Sequence, residues 1–87
     1  MVAVDATGRG VLVVDRLPAA PSGKTYEAWV IPAGGEPQRA GLFKGGGSMT
    51  MVPLEKSVPA GAVVAATVER SGGVSRPTAT PVFSAQT

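Results

Sequence analysis

Cysteine, histidine and asparagine are all missing from the 87 residues, and each absence removes a class of chemistry. Without cysteine there is no disulfide framework, thiolate metal site or thiol nucleophile. Without histidine, Ser-His-Asp catalysis and imidazole-ligated metals are excluded as well. A calcium loop draws on clustered acidic and amide ligands, and with no asparagine the chain shows no such cluster. Charge is also scarce: charged side chains make up 16% of the residues, against roughly 25% in ordinary soluble domains. The eight basic and six acidic residues leave a net charge of +2 and are scattered, which is no nucleic-acid footprint. Long apolar runs are absent too. The longest uncharged stretch, Ser57 to Val68, contains Pro59 and Gly61, whereas a membrane-spanning helix needs about 20 apolar residues. The start, Met1-Val2-Ala3-Val4-Asp5, lacks the basic and apolar regions of a signal peptide.

What the chain does have is turn residues and valine. Twelve glycines and eight prolines approach the range of low-complexity sequence. Low net charge and 13 valines oppose disorder and favour pleated surfaces over helices. Glycine and proline punctuate the chain near residues 8–10, 18–23, 32–37, 45–47, 59–61 and 71–77. The intervening segments predict strands at about 2–5, 10–17, 25–31, 39–44, 49–55, 62–70 and 80–85. The expected fold is all-β: a single domain over residues 1–87 forming a small antiparallel β-sandwich, immunoglobulin-like or related, of about seven short strands.

Alternation within the strands assigns faces. In 62–70, Val64, Ala66 and Val68 share the expected core face, opposite Val63, Ala65, Thr67 and Glu69. Residues 10–14 are apolar on both faces, as in a central strand or one covered on both sides by neighbouring loops. Pro53 lacks a ladder donor, which makes 49–55 an edge strand or a bulged one. In 25–31, Tyr26 and Trp29 project to opposite faces; the expectation is Trp29 and Ile31 inside, with Glu27 reaching water and Tyr26 covering a surface seam.

Few segments could carry chemistry. Lys44-Gly45-Gly46-Gly47-Ser48 has the ingredients of a phosphate loop in the wrong order and between strands, and it reads as a hairpin connection. The six carboxylates, Asp5, Asp15, Glu27, Glu36, Glu55 and Glu69, show no spacing that demands a catalytic pair. Glu69 ends a strand before Gly72-Gly73, so it is expected to pin its own loop by accepting N–H bonds from that turn, with Arg76 as a further partner. Leu17-Pro18-Ala19-Ala20-Pro21-Ser22-Gly23 reads as a stiff loop between sheets. No catalytic, cofactor-binding or metal residue is expected.

The series Gly8-Arg9-Gly10-Val11-Leu12-Val13-Val14, Leu17-Pro18, Gly23-Lys24-Thr25-Tyr26-x-x-Trp29, Ala40-Gly41-x-Phe43 and Thr67-Val68-Glu69-x-Ser71-Gly72-Gly73-x-Ser75-x-Pro77-Thr78 resembles the C-terminal domain of the anti-sigma-K factor family. The likeness runs from about residue 8 to 83. It implies the extracytoplasmic module of a single-pass, membrane-anchored regulator of an extracytoplasmic-function sigma factor, on the outer side of a bacterial cell membrane. The sigma factor would be held by an N-terminal segment and the membrane crossed by a helix, both outside these 87 residues, with regulated proteolysis freeing the sigma factor. The resemblance implies no enzyme activity and no cofactor. It marks Leu17, Pro18, Tyr26, Trp29, Gly41, Glu69, Gly72, Gly73, Pro77 and Thr78 as fold-determining. The competing expectation is an immunoglobulin-like adhesion or ligand-binding module sensing a cell-envelope component, which exposed Tyr26 or Trp29 beside the glycine-rich loops would favour.

Overall fold

The computed structural model describes residues 1–87, and its seven strands fall close to the segments between the glycine and proline breaks. They are β1 (Val2–Val4), β2 (Gly10–Asp15), β3 (Lys24–Ile31), β4 (Gln38–Phe43), β5 (Met49–Pro53), β6 (Val63–Arg70) and β7 (Phe83–Gln86), with no helix. Two sheets form, ordered β1-β2-β5 and β4-β3-β6-β7. Every pairing is antiparallel. The architecture is the expected small sandwich. In constant-type immunoglobulin sandwiches the fourth strand joins the first sheet; here β4 instead lies at the edge of the second.

The two sheets meet over Leu12, Ala28, Val30, Ala40, Val52, Val58, Ala62 and Val64, flanked by half-buried residues that include Val14, Phe43 and Phe83. Leu12 and Val52 come from the three-stranded sheet and Ala28, Val30, Ala40 and Val64 from the four-stranded one, so small and branched side chains alternate across the interface. β2 is central in its sheet and β5 pairs with β2 alone, so Pro53 sits on an edge strand.

Val64 takes the core position expected of it, but Trp29 does not. The pleat puts Ala28 and Val30 into the inter-sheet core and turns Thr25, Glu27 and Trp29 to the outer face of the four-stranded sheet. Trp29 and Glu27 are nonetheless fully buried there, and Ile31 is only half-buried. Tyr26 is also buried. Its ring stacks on Phe43 with centroids 5.3 Å apart, and its hydroxyl donates to the Pro18 carbonyl at 2.7 Å. The physical reason is that β3 and β6 are covered on both faces, so alternation separates two buried sets and not core from solvent.

The Lys44–Ser48 segment is not a hairpin. It carries the chain from β4 in one sheet to β5 in the other and packs on the β2–β3 loop, with Gly46 N–H donating to Leu17 C=O and Ala20 N–H to Lys44 C=O, both at 2.9 Å. Gly45 has φ +70°, and a Cβ there would stand 2.8 Å from the Pro18 carbonyl oxygen. That close approach, not hairpin geometry, explains the glycine. The β2–β3 loop itself joins the two sheets, as its stiffness suggested.

Candidate functional site: a crossover tied to two buried carboxylates

β3 and β6 pair in register from Lys24↔Arg70 to Ile31↔Val63, so Glu27 stands opposite Thr67 and Thr25 opposite Glu69 on the outer face. This puts two carboxylates beside Trp29 at positions solvent does not reach: Glu27 is 0% and Glu69 1% exposed. A buried carboxylate is costly unless its oxygens are bonded, and both are. Three of the five bonds come from the segment between β6 and β7, which folds over this face, and the other two from Thr67 on β6 and Arg39 on β4.

Glu69 Oε2 accepts the Thr67 hydroxyl at 2.6 Å and the Thr78 backbone N–H at 3.1 Å, while Oε1 accepts the Thr78 hydroxyl. The Thr67 hydroxyl in turn accepts the Trp29 indole N–H at 2.9 Å. One chain of bonds therefore runs from Trp29 through Thr67 and Glu69 to Thr78. Burial pushes the Glu69 carboxyl up, but the hydrogen bonds from Thr67 and Thr78 and the charge of Lys24 outweigh it and hold the group below its ordinary value. Glu27 is held separately. Oε2 accepts Arg39 Nε–H at 2.9 Å in a charge-assisted pair from β4, and Oε1 accepts the Val74 N–H at 2.8 Å.

Glu69 thus pins its own loop, as its position suggested, but through different partners. Thr67 and Thr78 hold it, and neither the Gly72-Gly73 turn nor Arg76 does. The N–H that follows the two glycines goes to Glu27. Gly73 is required by this approach: it has φ +79°, and a Cβ there would lie 2.8 Å from Leu42 Cδ2 and 3.1 Å from both Glu27 oxygens.

The ten signature residues gather in three places. Leu17, Pro18 and Tyr26 form the corner against which Gly45 packs. Trp29, Glu69, Gly72, Gly73, Pro77 and Thr78 belong to the crossover or to the network beneath it. Gly41, at φ +139°, sits where the β3–β4 register shifts; the neighbouring Ala40 carbonyl accepts the Glu55 N–H at 2.9 Å. Glu27, Arg39 and Thr67 complete the site outside the ten signature positions: Glu27 had been expected to reach water, Thr67 stood in the motif series with no role assigned, and Arg39 was not singled out. The available signal was the alternation that puts Glu27 on the Trp29 face, which acquires meaning only once that face is known to be covered.

With both oxygens of each carboxylate bonded inside the protein, the arrangement clamps chain to sheet and presents no base to a substrate. No buried side-chain polar atom lacks a partner. An open groove of about 750 Å³ lies elsewhere, at one end of the three-stranded sheet, with Asp5, Arg9, Glu55 and Lys56 supplying both signs of charge. None of the signature residues lines it. Asp5 there accepts bonds from the Thr7 hydroxyl and from the Thr7 and Arg9 amides, which hold its carboxyl below the ordinary value. It organises its own turn.

No curated protein and no solved structure is significantly similar to the chain. A family model does match, from β1 through the crossover. Over residues 1–82 the chain fits the family described as anti-sigma-K factor RskA, C-terminal, and it belongs to that family.

Proposed function

We propose that this domain is the non-enzymatic extracytoplasmic module of a membrane-anchored anti-sigma factor that controls an extracytoplasmic-function sigma factor through regulated proteolysis. The observation that carries the reading is the family match across nearly the whole sandwich. The site agrees with it, since its two buried carboxylates are consumed in holding the fold together and not in chemistry. In this reading the sandwich is a folded obstacle outside the membrane. The sigma factor binds a cytoplasmic segment N-terminal to residue 1, a helix joins the two parts, and loss of the sandwich's protection commits the anchor to cleavage. The ten signature residues serve it as fold-determining positions, not as contacts for a ligand.

An envelope-ligand module would gain support from an aromatic side chain standing free beside the glycine loops. Tyr26 and Trp29 are 5% and 0% exposed, so that surface is not formed.

The test is made on the parent protein in its own cell. Alkaline phosphatase fused after residue 87 should be active, an apolar stretch of about 20 residues should precede the domain, and deletion of residues 1–87 should change transcription from the sigma-dependent promoter. An inactive phosphatase fusion removes the extracytoplasmic assignment, and unchanged transcription removes the regulatory one.

A further inference from the structure

The β6–β7 segment, a long connection between neighbouring antiparallel strands that folds over the sheet, is held in large part by side chains. Outside the strands, its backbone bonds are confined to its ends: Ser71 N–H to Gly23 C=O, Gly73 N–H to Arg70 C=O, and Val82 N–H to Ala66 C=O. Residues 74–81 take part in no backbone–backbone bond outside the strands. Pro77 and Pro81 have no N–H to give. The middle of the crossover is held by side chains it lies on: Glu27 takes the Val74 N–H, and Glu69 takes both donors of Thr78.

The β3–β6 ladder and the inter-sheet core are built without these bonds. The β3–β6 pairing runs through eight residue pairs of main chain, and no residue of 71–82 belongs to the inter-sheet core. A segment with few backbone bonds, tied at two points over an intact sheet, has the make-up of an independently opening unit.

We propose that residues 71–82 form a strap that opens as a unit over the four-stranded sheet while the sandwich stays folded, with the Thr78–Glu69 contact as its catch. The strap is a property of the fold and holds wherever the domain resides. Opening returns Glu69 to solvent and uncovers the bond chain that ends on Trp29.

Acid acts on the catch. With the strap closed, the Glu69 carboxyl sits below its ordinary value, held there by Thr67, Thr78 and Lys24; opening removes the two Thr78 bonds and leaves Thr67 and Lys24 in place. The two Thr78 bonds favour closure while the Glu69 carboxylate is ionised, and that contribution falls off as pH drops through the depressed value. The charged groups facing the catch are Lys24 on β3, whose charge helps hold Glu69 ionised, and the Glu27–Arg39 pair across β3 and β4.

Trp29 is the only tryptophan, so its fluorescence reports the covered face alone. The experiment follows acrylamide quenching of Trp29 and the NMR methyl signals of Leu12 and Val52, which report the inter-sheet core, in wild type and in Thr78→Val. Expected are a several-fold rise in quenching for Thr78→Val at neutral pH with core signals unchanged, recovery in Thr78→Ser, and a wild-type acid titration in which quenching rises before the core signals are lost. A single coincident transition of Trp29 and core in both proteins overturns the strap. Should Thr78→Val not fold, hydrogen exchange on wild type decides. Val74 and Thr78 amides exchanging at least tenfold faster than those of Ala28 and Ala66 support independent opening, and equal protection overturns it.

Discussion

The two outer faces of this sandwich invert the usual placement of polar and apolar side chains. On the three-stranded sheet, Val13 stands opposite Met51 and Val11 opposite Pro53. Met49 and Met51 are 59% and 64% exposed, with no chain laid over them. On the four-stranded sheet, Glu27, Thr67 and Glu69 are sealed beside Trp29. What decides between water and burial is the presence of something for a covering segment to hold. Carboxylates and hydroxyls on β3 and β6 accept the backbone N–H groups that a crossing segment must satisfy, whereas thioethers and methyl groups on β2 and β5 offer almost nothing to bond. The charged face is covered because it is charged, and the apolar face stays open for want of anchors.

The largest expected effect on this comparison comes from Trp29. Trp29→Ala removes the ring from the covered face and strips Thr67 of its donor, so a loss of about 3–5 kcal/mol in urea melts is expected. A loss under about 1 kcal/mol, the level of ordinary surface substitutions, would show that the covered face contributes little packing. Next come the two adjacent glycines. Gly72 and Gly73 both have positive φ, at +90° and +79°, and valine in that region is strained by about 1–2 kcal/mol. A Cβ at Gly72 meets nothing within 4 Å, while one at Gly73 enters Leu42 and the Glu27 carboxylate. Gly73→Val should therefore exceed Gly72→Val by about 1–3 kcal/mol, the usual cost of overpacking. Equal losses would mean that turn conformation alone matters and that the approach to Glu27 does not.

Sequence reasoning reached the parts of this comparison that are local. The seven strands were legible because glycine and proline interrupt the chain at each turn, and the pinning role of Glu69 because its partners Thr67 and Thr78 lie within nine residues. Glu27 was out of reach: its bond to Val74 spans 47 residues and exists only through the β3–β6 register. Alternation placed Tyr26 and Trp29 on opposite faces but could not rank them, because both faces of β3 are buried, one by the second sheet and one by a crossover that shows no hydrophobic pattern of its own. The same limit made Lys44–Ser48 look like a hairpin. Glycines announce a turn, but they do not say whether the flanking strands belong to one sheet.

The smallest expected effect tests the open face. Met51 projects from an edge strand opposite Val13, with most of its surface in water. A lysine there keeps an aliphatic stem that can lie along Val13 while its ammonium group stays solvated, and edge strands accept lysine readily because it blocks pairing with another chain. Met51→Lys should thus change stability by no more than about 0.5 kcal/mol, the range of surface substitutions, in urea melts at neutral pH. A loss above about 1 kcal/mol, increasing with protein concentration in the wild type, would mean that this face is buried by association in solution. The contrast between the faces would then reduce to which partner covers each: the chain's own crossover on one side and a second molecule on the other.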